Sequence, residues 1–95
     1  MDRPLIMLFI STESPTFAFA RRQVELACEK TAGGPCPAEM RVVDVGLEPE
    51  TAEKYNIEAL PTVIVNGRRI IGIPPLDLLA QYLNSALRES AARRP

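Results

Sequence analysis

Leu5–Ile10 reads Leu-Ile-Met-Leu-Phe-Ile, six apolar residues with no polar interruption. Side chains on a strand alternate between its two faces, so a strand that is apolar at every position has both faces buried. Such a strand belongs inside a sheet, flanked by neighbours and covered on each side. A chain of 95 residues can meet that demand only with one core. We therefore expect a single domain over residues 1–95, with its core at about 4–89 and a frayed tail at 90–95. Apolar residues make up 46% and charged residues 24% of the chain, which suits a folded globular protein and excludes a disordered one.

The remaining elements follow from patterning. Residues 11–14 form a polar break, and Ser14-Pro15 places a capping residue before a proline suited to the first turn of a helix. Phe17, Ala20, Val24, Ala27 and Cys28 then recur at helical spacing to about residue 31. Gly33-Gly34-Pro35 stops that helix. A valine-rich strand is expected at 40–45, a short polar helix at 48–55 and a third strand at 61–65. Asn66-Gly67 is a two-residue hairpin turn, leading into a fourth strand at 68–73. After Pro74-Pro75 a last helix over 76–89 carries Leu76, Leu79, Ala80, Leu83 and Leu87 on one face. The order β-α-β-α-β-β-α implies an α/β fold with a mixed four-stranded sheet.

Charge and hydropathy exclude several function classes. A net charge of -1 gives no basis for nucleic-acid binding, and Arg68-Arg69 and Arg93-Arg94 read as solvated surface. No apolar run approaches the ~20 residues of a membrane span. The start of the chain lacks a signal-peptide cleavage pattern, so a cytoplasmic location is expected, where Cys28 and Cys36 would stay mostly reduced. Four good metal ligands are not available, and neither a metal nor a cofactor is expected.

The segment Ala52-Glu53-Lys54-Tyr55-Asn56-Ile57-Glu58-Ala59-Leu60-Pro61-Thr62, followed by Val63-Ile64-Val65-Asn66-Gly67 and Gly72, resembles the cis-proline loop and closing hairpin of the thioredoxin and glutaredoxin superfamily. The similarity runs from Leu5 to about Leu87 and is greatest to the short archaeal thioredoxins. It implies a thioredoxin-like fold and a cis peptide at Leu60-Pro61. It also implies that Leu60, Pro61 and Thr62 form a peptide-binding loop. The active site of that family opens its first helix with Cys-x-x-Cys. Here the matching segment is Ser14-Pro15-Thr16-Phe17, a degenerate active-site loop with oxygen and an aromatic ring in place of the two sulfurs.

A serine hydroxyl stays protonated near neutral pH and cannot enter a mixed disulfide. Ser14 therefore reads as a helix cap. The chain has no histidine, which rules out a Ser-His pair. Phe17 reads as core, or with Phe19 as an apolar contact patch. Cys28 reads as a small buried hydrophobe on the helix stripe, and Cys36 as an exposed loop residue. Their Cys-x7-Cys spacing matches no redox or zinc motif, although a curled helix end could bring them into a disulfide. Ile71-Gly72-Ile73-Pro74-Pro75 departs from the glutathione-binding segment of glutaredoxins, so glutathione is not expected as a ligand.

The resulting expectation is a redox-inactive, non-enzymatic module that binds a protein or peptide partner, or itself, through Leu60, Thr62, Ser14 and Phe17. Two alternatives stand beside it. One is a thiol–disulfide redox protein or switch using Cys28 and Cys36. The other is a relative of the circadian-clock KaiB family, suggested by Ser14-Pro15 and by Val42-Val43-Asp44-Val45.

Overall fold

The computed structural model describes residues 3–32 and 36–92. Seven elements follow one another: β1 (Leu5–Ile10), α1 (Thr16–Ala32), β2 (Glu39–Asp44), α2 (Pro49–Lys54), β3 (Thr62–Val65), β4 (Arg68–Ile71) and α3 (Leu76–Ala92). The four strands form one sheet in the order β2-β1-β3-β4. β1 runs parallel to β2 and antiparallel to β3, and β3 runs antiparallel to β4. The sheet is therefore mixed, with β1 and β3 at its centre.

The unbroken apolar run of β1 is divided between two cores. Ile6, Leu8 and Ile10 face one side, where they pack with Val63, Val65 and Ile70 and with the apolar stripes of α1 and α3. Ala20, Val24, Ala27 and Cys28 supply the α1 stripe, and Leu79, Leu83 and Ala86 the α3 stripe. Met7 and Phe9 face the other side with Val43 and Ile64, and Leu5, Val45, Tyr55 and Ile57 pack against them. Each large side chain so buried contributes roughly 1.5–3 kcal/mol relative to exposure.

The second face has less cover, because α2 is only six residues long. Its C-terminal end is held from across the sheet. The Arg69 guanidinium on β4 donates to the carbonyls of Tyr55 at 2.6 Å and Asn56 at 3.2 Å. The Tyr55 ring packs on Phe9 with centroids 5.6 Å apart.

Asn66 and Gly67 both hold positive φ, at 47° and 87°, as a two-residue hairpin turn requires. The Asn66 side chain also accepts a bond from the Leu5 N–H at 3.1 Å, tying the turn to the start of β1.

Two boundaries differ from the sequence expectation. β4 ends at Ile71 instead of residue 73, because Gly72 leaves the extended conformation with φ 90°; its N–H still donates to the Pro61 carbonyl at 2.8 Å, in line with the β3–β4 register. α3 continues through Ala92, and Ser90, expected in a frayed tail, is buried. The Gly33-Gly34-Pro35 helix stop and the Arg93-Arg94 pair lie outside the described residues.

Candidate functional site

The sheet separates the sequence-derived candidates into two poles. At one pole β1 ends, and the chain turns through Ser11 to Pro15 into α1. Thr62 pairs with Phe9, so Pro61 stands beside the end of β1 from which that turn departs. The loops carrying Ser14, Pro15, Thr16 and Phe17 and those carrying Leu60, Pro61 and Thr62 thus share one end of the sheet.

Local bonding fixes both segments. The Thr16 N–H donates to Ser14 Oγ at 3.3 Å, the bond of a helix N-cap, and the Ser14 and Thr16 hydroxyls lie 2.8 Å apart. The Ser14 N–H donates to the Ser11 carbonyl at 2.9 Å, closing the turn. Phe17 is partly buried and packs against the main core, whereas Phe19 is 56% exposed, so the two rings do not form a joint patch. The Leu60-Pro61 peptide is cis. Thr62 Oγ1 donates to the Ala59 carbonyl at 2.7 Å, and Leu60 is 40% exposed.

Asp44, at the end of β2, closes this pole from the other side. It accepts from the Thr12 hydroxyl and the Gly46 N–H, each at 2.8 Å. These bonds, the Thr12 hydroxyl foremost, hold its carboxyl below the usual carboxylate value.

The sulfur lies at the other pole. Cys28 sits about 18 Å along α1 from Thr16, at 1.5 Å per residue. Cys36 precedes Ala38 and Glu39, where β2 begins and the Glu39 N–H bonds to the Pro4 carbonyl at 2.8 Å. The two cysteines are joined by a disulfide across a Cα–Cα distance of 4.8 Å, inside the range such bonds span. Cys28 is 3% exposed and belongs to the main core, while Cys36 is partly exposed at its margin.

Sequence reasoning gave too little weight to this pair, because their spacing fits no familiar motif. The usable signal was positional: a cysteine one turn before a helix end and another just past a Gly-Gly-Pro sequence.

No protein-family model matches the chain. Its sequence is 31% identical over 88 residues to a thioredoxin of Methanocaldococcus jannaschii, covering 92% of this chain and 100% of that protein. Among solved structures, it is similar to a thioredoxin of Fasciola hepatica, with a TM-score of 0.71 and 21% identity over 90% of this chain and 82% of the other. A mutant thioredoxin of Halobacterium salinarum gives a TM-score of 0.73 and 19% identity, over 90% of this chain and 75% of the other. A chloroplastic thioredoxin z gives 0.72 and 21%, over 92% and 80%. These likenesses show the fold.

Two expectations are corrected by these findings. The non-redox binding or oligomerisation module is overturned by a thioredoxin relative matching nearly the whole chain and by the disulfide itself. The reading of the protein as redox-inactive falls for the same reason: loss of sulfur at the mouth of α1 does not remove it from the molecule. Protein partners in the broad sense agree with the thioredoxin match. Among the described residues, no helix is long and apolar enough to cross a membrane. With the mixed sheet, the cis-proline loop and a whole-length sequence match all in place, the chain belongs to the thioredoxin family.

Proposed function

We propose that this protein is a thiol–disulfide redox switch whose redox pair is Cys28 and Cys36. The disulfide between them, in a chain of the thioredoxin family, is the observation that carries this reading. Disulfide exchange requires a thiolate, and the α1 mouth offers hydroxyls, those of Ser14 and Thr16, with Ser14 already engaged in capping the helix. The chemistry therefore belongs to the opposite pole.

The chain retains a role for the first pole in this reading. Leu60, Pro61 and Thr62, beside Ser14 to Phe17, form the surface on which an extended segment of a protein partner docks. Exposed Leu60 supports that assignment. Docking and electron exchange then occupy different ends of the molecule, which suits a switch better than a reductase that attacks the substrate it holds. The location is cytoplasmic, and in that reducing compartment a disulfide is a transient, sensing bond.

The test is thiol counting by mass spectrometry after mild oxidation and after dithiol treatment. Reversible interconversion between zero and two free thiols supports the reading, provided that C36S abolishes it and S14A leaves it intact. Two free thiols under oxidising conditions, or disulfide reductase activity that persists in the C28S/C36S double variant, would refute it.

A further inference from the structure

The two sulfurs of the pair occupy unequal positions. Thiol–disulfide exchange is an in-line displacement: the incoming thiolate approaches one sulfur along the S–S axis, from the side away from the other. Approach to Cys28 along that line starts inside the main core, where Cys28 is 3% exposed among Ala20, Val24, Ala27 and the sheet side chains. Approach to Cys36 starts from the loop before β2, where the residue is partly exposed. Access therefore selects Cys36.

Selection of Cys36 leaves Cys28 as the sulfur that departs with the electron pair. Burial and the negative end of the α1 dipole both disfavour a thiolate there. The structure holds a compensating group. Thr31 Oγ1 is buried and has no hydrogen-bond partner among the described residues, the one side-chain oxygen or nitrogen of that kind. A buried hydroxyl without a partner carries a desolvation cost that calls for an explanation. Thr31 lies three residues after Cys28 on α1, and side chains at that spacing share a helix face and point back over the preceding turn. Its O–H is a donor in reserve for a charge that exists only when the disulfide opens.

We propose that Cys36 is the exchanging sulfur and Cys28 the leaving and resolving sulfur, with Thr31 as a positioning residue that donates a hydrogen bond to the Cys28 thiolate. This rests on the redox reading above. The reductant is a dithiol. Its first thiolate bonds to Cys36 Sγ as the Cys28–Cys36 bond breaks, and the electron pair goes to Cys28 Sγ, which then takes up a proton. The second thiolate of the reductant attacks the mixed disulfide, closing the reductant's own disulfide and releasing Cys36 as a thiol. Two electrons enter the chain and the dithiol is oxidised. In reverse, the Cys36 thiolate attacks a small-molecule disulfide such as oxidised glutathione, releasing one thiol, and Cys28 resolves the mixed disulfide, releasing the second.

Single-cysteine variants test the polarity. C28S and C28A, each retaining Cys36, are incubated with oxidised glutathione beside C36S, and the mixed disulfide is followed by mass. Both Cys28 variants should form it at least about tenfold faster than C36S; an equal or faster rate in C36S overturns the assignment. The second arm measures reduction of the parent disulfide by dithiothreitol. T31V should be about tenfold slower, the loss of one hydrogen bond to a charged group, and T31S should keep the parent rate. Parent-like reduction of T31V, or slowing shared by T31S, removes Thr31 from the step. Failure of the redox reading itself looks different: the parent protein would then hold two free thiols after oxidant, with no disulfide to reduce.

Discussion

Removing the Cys28–Cys36 bond should lower the stability of the fold by an amount set by the ring that the bond closes. The cysteines lie eight positions apart in sequence. In the chain-entropy treatment, a ring of that size removes about 8 cal/mol/K from the unfolded ensemble, equivalent to about 2.5 kcal/mol at 25 °C. For a domain of this length that corresponds to a fall of roughly 10–20 °C in Tm. C36S is the appropriate variant, because Cys36 lies at the core margin whereas serine at Cys28 would also put a hydroxyl into the core. Urea unfolding followed by far-UV circular dichroism, on the oxidised parent, the parent in excess dithiol and C36S, separates the contributions. The two forms without the bond should agree with each other and fall below the oxidised form. The m-value should rise on reduction, since an uncrosslinked unfolded chain exposes more surface. Oxidised and reduced parent proteins equal within about 0.5 kcal/mol, an order-of-magnitude threshold well under the ring estimate, would refute the reasoning.

Three further outcomes follow from the geometry. S14A removes the acceptor of the Thr16 N–H and should cost about 1 kcal/mol in urea unfolding without changing the rate of disulfide reduction. G72A meets no neighbouring atom but imposes a side chain on φ 90°, so chemical denaturation should show a loss of roughly 1 kcal/mol or more from backbone strain alone. The lowered proton affinity of Asp44 favours the folded state above its unfolded value near 3.8, and that contribution disappears as pH falls through the lower folded value. Accordingly T12V should bring the Asp44 carboxyl back toward 3.8 by NMR titration. The stability difference between T12V and the parent should narrow as pH falls below that range, and a difference that widens there would contradict the linkage.

Much of the fold was legible because local signals agreed with one another. The apolar run of β1, the α1 stripe and the Asn66-Gly67 turn each admit few alternatives, and each occurs at its expected place. The early end of β4 was hidden because Ile71 and Ile73 look like strand residues. Between them Gly72 takes φ 90°, and a lone glycine in an apolar run does not by itself announce that conformation. Ser90 was misread for a related reason: the polar tail sequence says nothing of the core that covers it. The disulfide was harder still. Cys28 satisfies every criterion for a plain core residue, and it is one; its bond to Cys36 depends on where the fold sets the segment that leads into β2. Thr31 carries no sequence signal at all, since a helical threonine is ordinary and only its missing partner is not.

Arg69 is an exposed residue on an edge strand, a position where substitution is usually cheap. Its guanidinium nevertheless serves as the C-terminal clasp of a six-residue helix that ends at Tyr55 and is too short to persist by itself. The roof over Phe9 is therefore fastened from outside by the Arg69 cation as well as by the packing of Tyr55 beneath. Variation at this surface site would register as altered packing in the smaller core, so tolerance to mutation in this protein does not track depth.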